Sequence, residues 1–196
     1  MTPEIAIAGL WTVWVVSWVA ASGWKKPAAR KAGIGRELPY RITVFTGAFL
    51  IYWYRPVPGG MNEPLWQLEP IWGWVAVAGV AIGFVFCWWA RLHLGTLWSS
   101  NVTRKDGHRI VDSGPYAIVR HPIYTGLLFA LAATAAARGT PLSFLGAAMM
   151  TAGFTIKARL EERFLREELG PAEYDAYARR VPMLVPFAPG RGQPGG

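Results

Sequence analysis

Residues 71–90 read IWGWVAVAGVAIGFVFCWWA, a stretch of twenty residues without a charged side chain. As an α-helix this stretch would be about 30 Å long, which matches the hydrocarbon core of a bilayer. Tryptophans stand near both of its ends, where an indole ring favours the membrane–water interface. The stretch therefore predicts a transmembrane helix and decides the fold class.

Four further apolar runs accompany this one along the chain. They cover residues 5–24, 40–54, 123–137 and 142–156, and the run at 40–54 is short and is followed by prolines. Only 16% of the 196 residues are charged, whereas about 25% is usual in soluble domains. We therefore predict an all-α integral membrane protein with about five transmembrane helices, folded as a single membrane domain.

The positive charge is concentrated in alternate connections between the apolar runs. Segments 25–41, 91–120 and 157–196 hold six, five and seven Lys or Arg residues, whereas the other two connections hold only Arg55 and Arg138. Because cytoplasmic loops carry the excess of Lys and Arg, we predict an external N-terminus and a cytoplasmic C-terminus. A multi-pass protein of a prokaryotic inner or plasma membrane fits this pattern.

The formal net charge of +8 does not indicate a nucleic-acid partner. No recognisable binding module or basic helix accompanies the charge, and the topology of the loops accounts for most of it. Cys87 is the only cysteine, so neither an intrachain disulfide nor a cysteine-based metal site is expected, and no metal ion is predicted. Its place in an apolar run predicts a packed thiol.

The last apolar runs predict how the C-terminal half folds. Small residues are frequent in 142–156 and allow close helix packing in lipid, so the runs at 123–137 and 142–156 are expected to form a helical hairpin. The helical pattern continues past residue 156 to Gly170, and Pro171 opens a short amphipathic helix. The chain then divides into N-terminal spans (1–90), a chemistry-bearing half (91–187) and a disordered tail (188–196).

Three polar motifs lie in the segments predicted to share the cytoplasmic side: DGHRIVDSGPY at 106–116, RHPIY at 120–124, and the acidic pair at 161–162. Pro122 suits the first position of a helix, whose free N–H groups favour an anion. Arg120 adds a forked donor for a carboxylate or phosphate, and Glu161 and Glu162 are suited to an ammonium group. Together these residues indicate a site for a zwitterionic ligand.

Each of these residues also admits a purely structural interpretation. His121 is placed to cap a helix, and Arg120 is placed to set topology. Glu161 and Glu162 have arginines within one helical turn for surface pairing, namely Arg159, Arg163 and Arg166. Their common location at one membrane face favours the functional interpretation.

The stretch DGHRIVDSGPYAIVRHPIYTG, followed by EERFLREELGPAEYDAYARRVPMLVPF, resembles the isoprenylcysteine carboxyl methyltransferase family, which is related to phospholipid methyltransferases. The resemblance covers about residues 91–187. It implies a cytoplasmic C-terminal cofactor-binding region and methyl transfer from S-adenosylmethionine. No glycine-rich turn of the soluble dinucleotide-binding type is present.

The resemblance also implies which residues form the cofactor site, with Glu161 receiving the amino group of the cofactor. The implied cofactor-binding residues are Asn101, His108, Arg109, Ile110, Val111, Tyr116, His121, Pro122, Ile123, Tyr124, Glu161 and Glu162. Eukaryotic members have an arginine for the acceptor carboxylate one turn before Glu161, where this sequence has Lys157 with Arg159 two residues on. Lys157, Arg159 and Arg120 are therefore the candidate catalytic cations.

The implied acceptor is a lipophilic compound that enters from the bilayer among membrane lipids. The carboxylate of an isoprenylated cysteine is the first expectation, a phospholipid amine the second, and a small thiol or amine a third. A carboxylate needs a cation to hold it, whereas an ammonium acceptor must first lose a proton to a base such as His121, His108 or Glu162.

Two functions of other classes are also consistent with parts of the sequence. An NADPH-dependent reductase of sterol-like or isoprenoid substrates shares the terminal pattern of Tyr177, Arg180, Val181, Pro182 and Pro186. A scaffold or small transporter is disfavoured because no charged residue falls within the predicted spans.

Overall fold

The computed structural model describes residues 1–23, 30–31, 34–52, 58–95, 103–104 and 110–189. The helices are α1 (Pro3–Ala20), α2 (Ile34–Tyr52), α3 (Pro70–Leu94), α4 (Pro115–Ile118), α5 (Pro122–Arg138), α6 (Pro141–Leu169) and α7 (Pro171–Arg180). A short 3₁₀ turn (Ala21–Gly23) follows α1, and β1 (Arg30–Lys31) and β2 (Thr103–Arg104) form a small antiparallel pair. Apart from this two-residue pair, the prediction of an all-α architecture is confirmed in the described part of the chain.

Helix α1 packs along α3 through aromatic residues. The Trp11 ring meets the Phe84 ring edge-on with centroids 4.8 Å apart, and the Trp14 ring stacks on Phe84 at 5.4 Å. The Trp11 Nε1–H donates to Thr134 Oγ1 of α5 over 3.0 Å. This bond satisfies a polar atom in an otherwise apolar core, which ties α1 to α5 as well as to α3.

Helices α3 and α5 form one antiparallel pair and helices α2 and α6 form another. Glycines set the distance between the two helices of each pair. In the α3–α5 pair, a Cβ at Gly83 would lie 2.5 Å from the carbonyl oxygen of Gly126, and a Cβ at Gly126 would lie 2.5 Å from that of Gly83. In the α2–α6 pair, Gly47 and Gly146 have the same reciprocal relationship at 2.6 Å. Neither backbone contact leaves room for a side chain at these positions.

The described parts of the Lys- and Arg-rich segments lie at one end of the bundle, and the loop 58–69 and the α5–α6 turn lie at the other, as the loop charges predicted. At one end, β1 of segment 25–41 pairs with β2 of segment 91–120, and Tyr40 of α2 reaches Lys157 of α6. At the opposite end, the loop 58–69 packs on the α5–α6 turn, where Trp66 Nε1–H donates to the Ala136 carbonyl over 3.1 Å. The three Lys- and Arg-rich segments therefore meet at one end.

The number of membrane spans is confirmed only in part. Two helices among the described residues are long and apolar enough to cross a bilayer, Pro3–Gly23 (α1 with its 3₁₀ extension) and Pro70–Leu94 (α3). Helix α5 has 17 residues, and α6 carries many charges in its second half. The expectation of five spans therefore remains a prediction for the other three helices.

Helix α2 differs from its predicted extent. It begins at Ile34, six residues before Tyr40, and contains Pro39. The Arg41 guanidinium pairs with the buried Glu37 carboxylate one turn earlier, with Nη2 and Oε2 2.5 Å apart. This i,i+4 pair stabilises the first turns, so the helix continues through residues that are too polar to have been counted in the apolar run.

The C-terminal helices follow the predicted order, with one difference in packing. Helices α5 and α6 are joined by a tight turn at Gly139, as expected of a hairpin. The small residues of α6, however, pack closely on α2, where a Cβ at Gly153 would lie 2.6 Å from Val44 Cγ2. Helix α6 ends before Gly170 and Pro171 opens α7, as predicted. Of the predicted disordered tail, 188–196, residues 190–196 lie outside the described residues.

Candidate active site

A buried ion pair lies where α5 begins and α6 leaves the bundle. Arg120 Nε donates to Glu162 Oε1 over 2.7 Å, and the two side chains are only 4% and 6% exposed. The same guanidinium donates through Nη1 to the carbonyl oxygens of Ala178 and Val181. Since a buried charge requires a partner and further hydrogen bonds, these contacts explain how Arg120 is accommodated.

The Arg120 contacts also hold the C-terminal segment against the start of α5. The backbone N–H groups of Arg120 and His121 donate to the carbonyls of Pro182 and Met183, over 2.8 and 3.1 Å. Thr125 Oγ1 donates to the Leu184 carbonyl over 2.7 Å. Residues 181–184 therefore form a strap, and α7 and this strap are positioned by the RHPIY motif.

His121 occupies the N-cap position of α5, but its side chain makes no capping hydrogen bond. The imidazole lies between the two carboxylates, with Nε2 3.3 Å from Glu162 Oε1 and Nδ1 3.6 Å from Glu161 Oε2. Its ring stacks on Tyr124, with centroids 5.5 Å apart. The sequence interpretation of His121 as a helix cap is therefore wrong for its side chain, which joins the acidic pair instead.

Glu161 differs from Glu162 in exposure and in partners. Its carboxylate accepts a hydrogen bond from the Tyr124 hydroxyl over 2.6 Å, and its side chain is 20% exposed. A carboxylate has about four lone-pair positions, so the single strong donor leaves Glu161 with acceptor capacity. Glu162, by contrast, is enclosed by Arg120 and His121.

The charges of this cluster shift one another's pKa. Burial alone would raise the pKa of Glu162, but His121 and Arg120 outweigh burial and lower it to about 2. Burial would also raise the pKa of Glu161, but His121, Lys157 and Tyr124 lower it below its ordinary value. Burial would lower the pKa of His121, but hydrogen bonds and charge from Glu161 and Glu162 raise it. The cluster therefore favours two carboxylates bridged by a protonated imidazole.

The two candidate cations of α6 point in different directions. The Lys157 ammonium lies over the rings of Tyr40 and Tyr124, with Nζ 5.3 and 5.5 Å from their centroids. Arg159 lies two residues further along α6 and is exposed. Because two residues correspond to about 200° around a helix, only Lys157 faces the cluster.

The other predicted cofactor residues are distributed around this centre. Pro122 is buried at the first position of α5, and the Ile123 side chain packs against the apolar core. Ile110 packs against the buried tyrosines of α7, next to the partly buried Val111, while Tyr116 is buried and its carbonyl accepts from the Tyr177 hydroxyl over 2.8 Å. Asn101, His108 and Arg109 lie outside the described residues.

The sequence motifs missed three residues that contact this region. Tyr40 reaches Lys157 from α2. Tyr174 of α7 is buried beside Glu162. Burial raises the pKa of the Tyr174 hydroxyl, and the Glu162 charge raises it further. His93 at the end of α3 lies 2.9 Å from Ser113 Oγ and stacks on Tyr116. Tyr40 starts the apolar run 40–54 and His93 follows the run 71–90, and both lie outside the three polar motifs, so nothing in the local sequence marked them.

The arrangement defines a class of protein: a bundle with apolar, membrane-type helices that encloses an ionic site at one end. Residues 74–167 match the model of the isoprenylcysteine carboxyl methyltransferase (ICMT) family. The matched segment contains the RHPIY motif and the acidic pair, which confirms the resemblance seen in the sequence.

Individual relatives support the same resemblance. The chain is 33% identical to methanethiol S-methyltransferase 2 of Bradyrhizobium diazoefficiens over 148 residues, which are 70% of this chain and 54% of the relative. It is 29% identical to methanethiol S-methyltransferase of a Pseudomonas species, over 71% of this chain and 55% of the relative. It is 34% identical to protein-S-isoprenylcysteine O-methyltransferase B of Arabidopsis thaliana, over 44% of each chain. The chain thus spans about half the length of these curated relatives.

Proposed function

We propose that this protein is a membrane methyltransferase that transfers a methyl group from S-adenosylmethionine to the anionic end of a lipophilic acceptor. The observation that carries the proposal is the Glu161 carboxylate, held by Tyr124 and partly exposed, one helical turn from the Lys157 ammonium. An acid for the amino group of the cofactor therefore lies beside a cation for the acceptor. The family match supports the same reaction class.

The described residues fit S-adenosylmethionine at its amino-acid end. Glu161 retains acceptor capacity for an ammonium group, whereas Glu162 is occupied by Arg120 and His121. We therefore assign ammonium binding to Glu161 and a positioning role to Glu162. When bound, S-adenosylmethionine supplies a methyl group that is already activated by the sulfonium, so the protein mainly has to align the acceptor and exclude water.

Arg120 is assigned a positioning role in this proposal. Its guanidinium is buried and donates to Glu162, Ala178 and Val181, which are all groups of the protein. Such an arginine holds α7 and the strap beside the site. Lys157 remains the cation proposed for the acceptor, because it faces the cluster and Arg159 does not.

The first candidate acceptor is the carboxylate of an isoprenylated cysteine or a similar compound. A carboxylate is already deprotonated at neutral pH, so its methylation requires a cation but no general base. The acceptor is proposed to enter the site sideways from the lipid. The Arabidopsis relative is named for this type of acceptor.

A small thiol is the second candidate acceptor, and one observation favours it. Two relatives that align over about 70% of this chain are named methanethiol S-methyltransferases. Lys157 is a compact point charge rather than a guanidinium fork, and a nearby ammonium favours loss of the thiol proton to water, so that the thiolate sulfur can take the methyl group.

A phospholipid amine is less well supported than either anion. Methylation of an ammonium group requires a base, and His121 was the nearest candidate. Its two ring nitrogens face Glu162 and Glu161, and those carboxylates raise its pKa. A protonated imidazole between two carboxylates is a poor base, so this chemistry would need a group elsewhere.

The proposal also includes the membrane topology: five spans (α1, α2, α3, α5 and the first part of α6), with the ionic end in the cytoplasm. The three Lys- and Arg-rich segments meet at this end, and the positive-inside rule assigns such an end to the cytoplasm.

Binding of the cofactor tests the proposed function directly. We would titrate S-adenosylmethionine and S-adenosylhomocysteine into the detergent-purified protein by calorimetry, and compare Glu161→Ala with Glu167→Ala. Glu167 is exposed on the same helix and serves as the matched control. Saturable binding that Glu161→Ala abolishes and Glu167→Ala preserves is the expected result.

The acceptor is then identified by methyl-transfer assays with an S-farnesyl cysteine derivative, a short alkanethiol and a phosphatidylethanolamine. Transfer to the first or second compound identifies the candidate. Binding of NADPH in place of S-adenosylmethionine by the folded protein would replace the proposal with the reductase function.

A further inference from the structure

The Lys157 ammonium is held by aromatic rings from two other helices. Its Nζ lies 5.3 Å from the centroid of Tyr40 on α2 and 5.5 Å from that of Tyr124 on α5. Tyr40 is only 6% exposed, although it lies at the polar end of the bundle. Both distances are within the range of a cation–π interaction, which strengthens when water is excluded from the pair.

Close packing between α2 and α6 fixes the position of the Tyr40 ring. One turn before Lys157, a Cβ at Gly153 would lie 2.6 Å from Val44 Cγ2 and 3.3 Å from the carbonyl oxygen of Tyr40. The reciprocal contact of Gly47 with Gly146 continues the same interface. The backbone of α2 therefore cannot approach further or rotate freely, and Tyr40 is held over Lys157 by the helix interface itself.

Tyr124 connects the cation to the proposed cofactor-binding acid. Its hydroxyl donates to Glu161 over 2.6 Å, while its ring lies beneath the Lys157 ammonium. One side chain thus fixes both groups. A lysine has a flexible four-carbon stem, and two rings that hold its end restrict where that charge can meet an acceptor.

Tyr40 also adjoins a second cation that is already paired. Arg41 Cζ lies 5.9 Å from the Tyr40 ring centroid, and the Arg41 guanidinium binds the buried Glu37 carboxylate. The Glu37 contact keeps this charge on α2. Lys157 is therefore the cation that the Tyr40 ring directs toward α5 and Glu161.

We propose that Tyr40 is a specificity-determining residue of the acceptor site, where with Tyr124 it forms an aromatic seat for the Lys157 ammonium. The seat fixes where the ammonium charge lies beside Glu161, which favours an acceptor whose anionic end reaches that position. Tyr40 lies outside residues 74–167, the part of the chain that matches the family. This inference rests on the proposed function, because it assigns Lys157 to the acceptor.

The test compares Tyr40→Leu with Tyr40→Phe, and uses Phe45→Leu as the matched control. Phe45 is on the same helix and 72% exposed, so its replacement removes a ring without touching the site. We expect Tyr40→Leu to raise KM for the methylated probe, the S-farnesyl cysteine derivative or the short alkanethiol, by roughly 3- to 30-fold, the range of one cation–π contact. Binding of S-adenosylhomocysteine, measured by calorimetry, should stay within about twofold of the original protein.

Tyr40→Phe keeps the ring and should recover most of the acceptor affinity. A purely structural role predicts a different pattern, in which Tyr40→Leu weakens cofactor and acceptor alike or lowers kcat at unchanged KM. That pattern, or a Tyr40→Leu variant that behaves like Phe45→Leu, would overturn the inference.

A double-mutant cycle on thermal unfolding tests the seat without any substrate. Tyr40→Leu and Lys157→Met are combined, and the seat predicts that the loss of stability from Tyr40→Leu shrinks when Lys157 is absent. Additive effects would overturn the seat whether or not the protein is a methyltransferase. Coupling without any detectable methyl transfer would instead retain the seat and reject the proposed function.

Discussion

Arg120 and Glu162 form a buried ion pair of 2.7 Å that joins the start of α5 to the polar part of α6. The pair also reaches α7, because the same guanidinium donates to the carbonyl of Ala178. Three helices and the strap 181–184 therefore depend on one arginine. The first prediction follows from this dependence.

Arg120→Met should destabilise the protein by about 3–5 kcal/mol, since it leaves the Glu162 carboxylate buried without its main partner. Combining it with Glu162→Gln should restore part of the loss, because no unpaired charge then remains. Unfolding of the purified protein in detergent measures both effects. Arg166→Ala is the control, since its pair with Asp175 is exposed and screened by water and should contribute little to stability.

Stability should be highest between about pH 4.5 and pH 6.5 and should decrease on both sides of this range. The pKa of His121 is raised above its ordinary value of 6.5, so the stabilisation from the protonated ring is complete below about pH 6.5 and is lost as the pH rises through the higher folded pKa. The pKa of Glu162 is lowered from 4.5 to about 2, so its contribution is complete above pH 4.5 and is lost as the pH falls toward 2.

Thermal unfolding recorded across this pH range checks both limbs. His121→Gln should remove the alkaline limb and leave an acid limb, because Glu162 keeps Arg120 as a partner. An alkaline limb that is unchanged in His121→Gln would assign that limb to another group.

Gly83→Ala and Gly126→Ala should each destabilise the bundle by roughly 1–3 kcal/mol, the cost of overpacking a close contact. Each added methyl group would lie 2.5 Å from the backbone oxygen of the opposite helix. Gly9→Ala is the control, because a Cβ there meets nothing within 4 Å. It should be neutral or slightly stabilising, as an alanine favours an exposed helix. Equal effects at all three positions would contradict the close contact.

The proposed topology can be tested by cysteine labelling in intact cells. Cys87 is buried, so the natural protein should react little with a maleimide. A cysteine introduced at Glu63, in the loop 58–69, should be labelled by a membrane-impermeant reagent from outside. A cysteine introduced at Glu173 of α7 should be labelled only after the membrane is opened. The reverse pattern would invert the proposed orientation.

The sequence by itself determined the helical class, the ends of several elements and the motifs of the site. Apolar runs mark helices through their composition, and Gly170 followed by Pro171 separates α6 from α7 through local backbone preferences. The loop charges divided the connections between two ends, and the structure brings the basic segments together accordingly. These are local or additive properties, which a linear pattern retains.

Only the tertiary structure decided which groups meet. The residue types alone gave Glu161 and Glu162 equal roles, and only the family resemblance singled out Glu161. Packing supplies a physical reason, because it encloses Glu162 with Arg120 and leaves Glu161 partly exposed. Tyr40 reaches Lys157 across more than a hundred residues, because glycines let α2 and α6 come into backbone contact. Exposure and the choice of partner depend on how helices distant in sequence pack, and no local pattern of residues records that packing.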